Sequence, residues 1–427
     1  MVIYVVQSGD SLFSIAREYG VTVELLQAAN QILPSQELAV GQALVVPTEF
    51  ITHTVAAGDT LYFIAQRYGT TVEKLIELNP LTQSDPSYIR VGQLITVPAG
   101  PAPTRSIAVN GYCYPSIKQA TLDITLPGLT YLSPFSYMFT AQGALIPIDD
   151  TRLITSAYRR NVAPIMVLTN TRPTGGFDSQ LVSTALNDMN VQTTLIENVA
   201  NTLNEKSYYG LNIDFEYIPP ADREAYNAFL ERIVAKLRPI GYVLMTAVAP
   251  KTSADQPGTL YEAHDYEAHG RLMDYVIIMT YEWGYTYGPP MAVAPADQVE
   301  KVLQYAVTAI PSEKILMGMP NYGYDWTLPF VQGTAARTIS NVSAVRLAAE
   351  TGSAIRFDQT AQAPFFNYTA GDGARHEVWF DDARSVQARL RFVETYNLGG
   401  VSYWTVNQYF SQNWLVLNSM YSIRKRF

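Results

Sequence analysis

The sequence predicts an α/β protein: a (β/α)8 TIM barrel with a small α+β insertion after its seventh strand, preceded by two βααβ modules. Three observations predict this. The first hundred residues repeat at an offset of 49. From residue 106 onward, eight apolar strand-like runs recur between helical patterns. The interval between the seventh and eighth runs is too long for one helix and is rich in Thr, Gly and aromatic residues.

The repeats come first. Residues 6–30 align with 55–79: Gly9-Asp10-Ser11-Leu12 matches Gly58-Asp59-Thr60-Leu61, and Tyr19-Gly20 matches Tyr68-Gly69. After Asn30 and Asn79 the second copy gains two residues, then Val40-Gly41-Gln42 meets Val91-Gly92-Gln93. Ser11 and Thr60 are natural N-caps, and Gly20 and Gly69 natural helix stops. Each copy closes on a short apolar strand and a proline, Pro47 or Pro98. The expected boundaries are 1–48 and 50–99. Both copies resemble the LysM domain, which implies binding to polymers containing N-acetylglucosamine. Two weak sites in tandem would add avidity on a repetitive polymer.

A Pro-rich spacer at 100–105 leads into the barrel, 106–427. Its expected strands are 106–113, 130–139, 163–169, 210–217, 243–249, 275–282, 315–321 and 398–405, with helices such as 222–238 and 297–309 between them. The insertion is expected at 327–382. In such barrels the chemistry sits at the carboxyl ends of the strands.

Composition narrows the function classes. With 48% hydrophobic and 16% charged residues, the 427-residue chain builds a large core. A net charge of −9, with no basic run beyond Arg424-Lys425-Arg426, argues against nucleic acid as a partner. The lone Cys113 excludes an intrachain disulfide and reads as a buried thiol on the first strand. The four histidines lack ligand spacing, so neither a metal nor another cofactor is implied. The N-terminal residues show no signal-peptide pattern and no run is long enough to span a bilayer, so signal-directed export and membrane insertion are not expected. The 29 tyrosines offer flat faces with polar tips, which suit sugar rings.

The chemistry concentrates in residues 210–218. Period two puts Leu211, Ile213 and Phe215 on one face and Asn212, Asp214 and Glu216 on the other. Asp214 and Glu216 point the same way and cannot flank a sugar from opposite sides, as the two-carboxylate glycosidases require. One carboxyl must donate the proton alone, and the nucleophile must come from elsewhere.

Tyr209–Glu216 resembles the D-G-x-D-x-D-x-E signature of glycoside hydrolase family 18. Met279-Thr280-Tyr281-Glu282 lies where that family has M-x-Y-D, Gly318–Gly323 resembles its seventh-strand segment, and Val401–Trp404 its eighth. The resemblance implies substrate-assisted retaining catalysis through the 2-acetamido group of the substrate. Glu216 would be the general acid and then the base. Asp214 would orient the acetamido group, raise a pKa within the pair and stabilise the cationic intermediate. Tyr281 would hydrogen-bond the acetamido carbonyl and Trp404 would floor the −1 sugar. Asn212, Glu282, Met279, Asn321 and Tyr322 are further candidates for substrate contact. The chain departs from the pattern at Tyr209 and Asn212, which replace aspartates, and at Glu282. Val167–Thr171 lacks the usual S-x-G-G.

Tandem LysM modules ahead of such a barrel resemble the germination-associated peptidoglycan hydrolases of bacterial spores. That implies a monomeric N-acetylglucosaminidase acting on cortex glycan, made in the mother cell and held at the coat–cortex boundary. A chitinase or chitooligosaccharide hydrolase, and a non-catalytic glycan-binding coat protein, remain as alternatives.

Overall fold

The structure, a computed structural model, describes residues 1–79, 89–100 and 103–427. Within them eight parallel strands close a barrel: Ser106–Cys113 (β1), Tyr131–Pro134 (β2), Ala163–Thr169 (β3), Gly210–Asp214 (β4), Val243–Val248 (β5), Tyr275–Ile278 (β6), Ile315–Pro320 (β7) and Gly400–Trp404 (β8). β8 returns to β1 with Gly400 opposite Ala108 and Val401 opposite Val109, which leaves no edge open. A Cβ on Gly400 would lie 1.8 Å from the Ala108 carbonyl oxygen, so only glycine lets these strands meet.

The strands are apolar on both faces because the barrel buries both. Ala108, Tyr131, Ile165, Met245, Ile277 and Leu316 belong to the inner core. The outward residues pack under the helices: Leu211, Ile213 and Phe215 of the β4 segment all lie in that outer core. Phe215 stacks on Tyr226 and Phe229 of helix Arg223–Leu237, at 5.9 and 5.7 Å between ring centroids. With these three facing outward, the period-two pattern turns Asn212, Asp214 and Glu216 inward.

Four expectations change. β4 ends at Asp214, not 217, which leaves Glu216 just past the strand. β2 stops at Pro134, which has no N–H to extend the ladder, and Met138–Phe139 instead pairs with Leu145–Ile146. β6 stops at Ile278 because the N–H groups of Thr280 and Tyr281 fold back onto the carbonyls of Ile278 and Met279, both at 2.8 Å. Tyr281 and Glu282 therefore sit on a loop. The insertion begins at Gly323, not 327: Gly323–Leu328 joins Arg337–Ile339, Arg356–Asp358, Ala363–Thr369 and Arg375–Trp379 in an antiparallel sheet. Helix Asn341–Glu350 packs on that sheet through Ala344 and Ala348.

The basic tail is structural. Ser422 and Ile423 pair with Ser106 and Ile107, and Arg426 donates to the hydroxyls of Tyr131 (2.6 Å) and Tyr275 (3.1 Å). It closes the barrel at the end away from the strand carboxyl termini. Cys113 is fully buried, and burial pushes its thiol up to about 12.

Both N-terminal modules are βααβ units. Val2–Val5 pairs antiparallel with Ala43–Val46 around helices Leu12–Tyr19 and Val23–Asn30; Phe50–Thr54 pairs with Leu94–Pro98 around Leu61–Arg67 and Val72–Leu78. Ser11 and Thr60 accept the N–H groups of Ser14 and Phe63. Asn30 bridges to both backbone groups of Val45, and Asn79 does the same at Thr96, so the repeat extends to side-chain geometry. The two extra residues of the second copy and Pro101-Ala102 of the spacer lie outside the described residues.

The first module is docked on the barrel. Gln412 of helix Ser411–Met420 donates to Asn30 Oδ1 (2.9 Å) and to the Ala43 carbonyl (2.8 Å). Gln31 in turn holds the Ser411 N–H at 2.7 Å and the Tyr409 carbonyl at 3.2 Å. No helix among the described residues is long and apolar enough to cross a membrane.

Candidate active site

A cleft of about 920 Å³ opens at the carboxyl ends of the strands. Its acidic lining residues are Asp214, Glu216 and Glu282, and its aromatic ones include Tyr112, Phe135, Tyr281 and Trp404. Met279 lines it as well.

Asp214 ends β4 almost fully buried, and its Oδ1 has no hydrogen-bond partner. Burial alone raises its carboxyl to about 7. Glu216 lies two residues on, past the strand end, and burial raises its carboxyl well above the ordinary range. The charges of Asp214 and Glu282 push it the same way. The two titrate as a pair, and burial together with their mutual repulsion favours the protonated form of Glu216.

The Glu216 backbone is fixed from two sides. Asn170, just past β3, accepts its N–H at 3.0 Å and donates to its carbonyl at 2.9 Å. His264 accepts the Ala249 N–H on Nδ1, which leaves Nε2–H to donate to the Phe215 carbonyl at 2.9 Å. Burial lowers His264 to about 4, so it stays neutral in this role. Tyr217 follows at φ 53°, and Glu282, on the loop after β6, sits at φ 68°; both are left-handed positions for residues with a Cβ.

Trp404 ends β8 with its ring held edge-on by Phe135 (4.7 Å), Tyr112 (5.4 Å) and Tyr114 (5.9 Å). Tyr281 lines the cleft with its phenol well above the usual range through burial, Tyr112 and the nearby carboxylates, so it stays a neutral hydroxyl. Glu282 accepts hydrogen bonds from the hydroxyls of Tyr322 and Tyr324.

Six of the nine residues singled out from sequence line one cleft: Asp214, Glu216, Met279, Tyr281, Glu282 and Trp404. Asn212 does not. It is fully buried beneath the cleft, donates to the Tyr112 hydroxyl and is withdrawn from substrate contact. Asn321 spends its amide on the carbonyls of Thr405 (2.9 Å) and Gln408 (2.7 Å), which shapes the loop after Trp404. Asn321 and Tyr322 line an adjoining pocket of about 440 Å³ that also touches Glu282 and Trp404.

Sequence reasoning missed Asn170, Tyr112, Phe135 and His264. The available signal for Asn170 was its place at a strand's carboxyl end, where barrel chemistry gathers. Nothing in the local sequence marks the other three. His264 and His269 come within 6.0 Å between ring centroids despite their spacing, but no group of three or more metal-ligating side chains forms among the described residues.

The comparisons agree with this geometry. The glycosyl hydrolases family 18 pattern matches residues 174–408, and the LysM domain matches 4–47 and 53–98. The cortical fragment-lytic enzyme of Bacillus subtilis (strain 168) is 42% identical over 100% of this chain and 99% of its own length. The crystal structure of the Bacillus megaterium QM B1551 spore cortex-lytic enzyme SleL superposes with a TM-score of 0.91 at 38% identity, covering 100% of this chain and 99% of that one. A chitinase from Chromobacterium violaceum superposes with a TM-score of 0.68 at 27% identity, covering 73% of this chain and 98% of its own. With a matching barrel, a carboxylate pair at the end of its fourth strand and two modules ahead of it, the chain belongs to glycosyl hydrolase family 18 as a glycosidase carrying two LysM domains.

Proposed function

We propose that this chain hydrolyses the β-1,4 bond on the reducing side of N-acetylglucosamine in spore cortex peptidoglycan, by substrate-assisted retaining catalysis. The observation that carries the reading is the Asp214–Glu216 pair: two buried carboxyls lining one cleft, with burial raising both and the Asp214 charge raising Glu216 further. The third acid, Glu282, is engaged by two tyrosine hydroxyls and is not free to attack an anomeric carbon.

Glu216 gives its proton to the glycosidic oxygen as the bond to the anomeric carbon breaks. The 2-acetamido oxygen of the −1 sugar closes onto that carbon in place of a protein nucleophile. The Asp214 carboxylate, its Oδ1 unpartnered, accepts the acetamido N–H and offsets the positive charge of the ring that forms. The Tyr281 hydroxyl holds the acetamido carbonyl, and Trp404 supports the sugar face. Glu216, now ionised, takes a proton from the water that opens the intermediate.

Cortex is favoured over chitin because relatives named for cortical-fragment and cortex lysis span the chain end to end, while the chitinase matches the barrel alone. The LysM modules would hold the barrel on its polymer. The test compares wild type with Glu216→Gln on purified cortex muropeptides, with products analysed by mass after reduction. New reducing-end N-acetylglucosamine, absent in the variant, is the expected result. Binding by both proteins without cleavage of cortex fragments or chitin oligomers would make the chain a glycan-binding coat component.

A further inference from the structure

A second pocket of about 520 Å³ lies where the insertion meets the loop after β8, and Arg337, Ser340 and Arg346 are among its lining residues. It is joined to the catalytic cleft through the 440 Å³ pocket already described. That pocket shares Tyr114, Glu282 and Trp404 with the cleft, and Tyr322, Thr338 and Gln408 with the second pocket. Three adjoining pockets with shared walls therefore lead from the catalytic carboxyls, past Trp404, to two guanidinium groups.

We propose that the far end of this row of pockets is a subsite for the carboxylate-bearing peptide stem of a peptidoglycan fragment, with Arg346 as its anchor; the inference rests on the peptidoglycan reading above.

Arg346 makes no ion pair among the described residues, and its Nε is buried without a hydrogen-bond partner. Glu350, one helical turn on, also lines the pocket and makes no ion pair with Arg346 among the described residues, so an incoming carboxylate competes with it for the guanidinium. The buried Nε–H lacks an acceptor, and a carboxylate arriving in the pocket supplies one in fork geometry with a terminal nitrogen. Arg337 spends one nitrogen on Asp325 at 2.6 Å while its side chain stays 64% exposed, so further donors face the pocket. The helix Asn341–Glu350 forms one wall of the pocket, from its N-cap Ser340 to its last residue Glu350.

The ligand class follows from the chemistry. A chitin chain is neutral and unbranched, so it has nothing to place beside two guanidiniums. In peptidoglycan every N-acetylmuramic acid carries a lactyl ether, and the peptides attached there end in free carboxylates. With the glycan in the cleft, such a branch has a path past Trp404 and Tyr322 toward Arg346.

The test uses the full chain with Glu216→Gln, titrated with a tetrasaccharide muropeptide and with the same glycan after its stems are removed. Binding is read by tryptophan fluorescence; all five tryptophans lie at 283 or beyond, so the signal reports the barrel and not the LysM modules. The stem is expected to tighten binding about tenfold, the scale of one charge-assisted hydrogen bond. Adding Arg346→Ala should abolish that gain with the stripped glycan still bound as before, and Arg346→Lys should restore part of it. Equal affinity for the two glycans, or an equal loss for both in Arg346→Ala, overturns the subsite. Failure of the peptidoglycan reading shows separately, as wild type cutting neither glycan, and the binding comparison still decides the subsite. Binding of neither glycan overturns both.

Discussion

Asn170 and Glu216 clamp each other through two reciprocal hydrogen bonds: the Glu216 N–H donates to Asn170 Oδ1 at 3.0 Å, and Asn170 Nδ2 donates to the Glu216 carbonyl at 2.9 Å. β4 has ended by Asp214, so the sheet no longer fixes the backbone of Glu216. The amide beyond β3 takes over from the ladder, and His264 holds the preceding carbonyl. The Glu216 carboxyl, the proton donor of the proposed mechanism, thereby stands on a rigid base although it lies past the strand.

Replacing Asn170 with alanine frees that segment. The expected outcome is a fall in kcat of about 10- to 100-fold with a much smaller change in KM, because orientation of Glu216 is lost while the cleft that binds glycan remains. Steady-state kinetics on cortex fragments decide this. An unchanged kcat would show that the clamp is dispensable.

The Asp214 charge helps to keep Glu216 protonated. Removing it by Asp214→Asn lowers the Glu216 pKa, so the alkaline limb of the residual kcat/KM profile should move to lower pH. In wild type the acid limb should lie above the ordinary carboxylate range, where the buried pair takes up its second proton. An alkaline limb that stays in place in Asp214→Asn would mean that burial alone sets the Glu216 pKa.

The raised Glu216 pKa also bears on stability. Its folded value lies above the unfolded one, near 4.5, so proton binding favours the folded state; this contribution is complete below 4.5 and is lost as pH rises through the folded pKa. Glu216→Gln escapes that loss. Urea titrations should therefore find the variant increasingly more stable than wild type as pH is raised from about 5 to about 8, at the expense of activity. A constant difference across that range would contradict the assignment.

Docking of the first LysM domain depends on Gly41. It sits at φ 83°, and a Cβ there would lie 1.9 Å from the Ile355 carbonyl oxygen, whose N–H bonds the Val40 carbonyl at 2.8 Å. Gly41→Ala should cost about 2–4 kcal/mol at this contact and loosen the module from the barrel. Hydrogen exchange can follow this at Ser411, whose N–H is held by Gln31 and should lose protection.

Deleting residues 424–427 removes the Arg426 bonds to Tyr131 and Tyr275 at the closed end of the barrel. The expected cost is about 1–3 kcal/mol, read as a lower urea midpoint, because buried hydroxyls lose their partners. Turnover per folded molecule should persist, since the cleft lies at the other end.

The sequence by itself determined the repeat, the barrel and the carboxyl pair, because each is written in local periodicity. The offset of 49 fixes the two modules, apolar runs between helical patterns fix the alternation of strand and helix, and period two over 210–218 fixes which way Asp214 and Glu216 point. Strand ends were less legible. β2 and β6 stop where a proline lacks an N–H or where the backbone folds back on itself, and apolar character carries no record of either. Tertiary structure alone decided who supports the site. Asn170 lies 46 residues before Glu216, His264 lies 49 after Phe215, and Asn212 binds Tyr112 across 100 residues. Contacts of that range exist only once the barrel closes and brings successive strand ends into one ring, so no window of sequence contains them. The same closure turned Asn212 from a candidate for sugar contact into a buried support, and set an unpaired Arg346 at the end of the row of pockets that starts at Glu216.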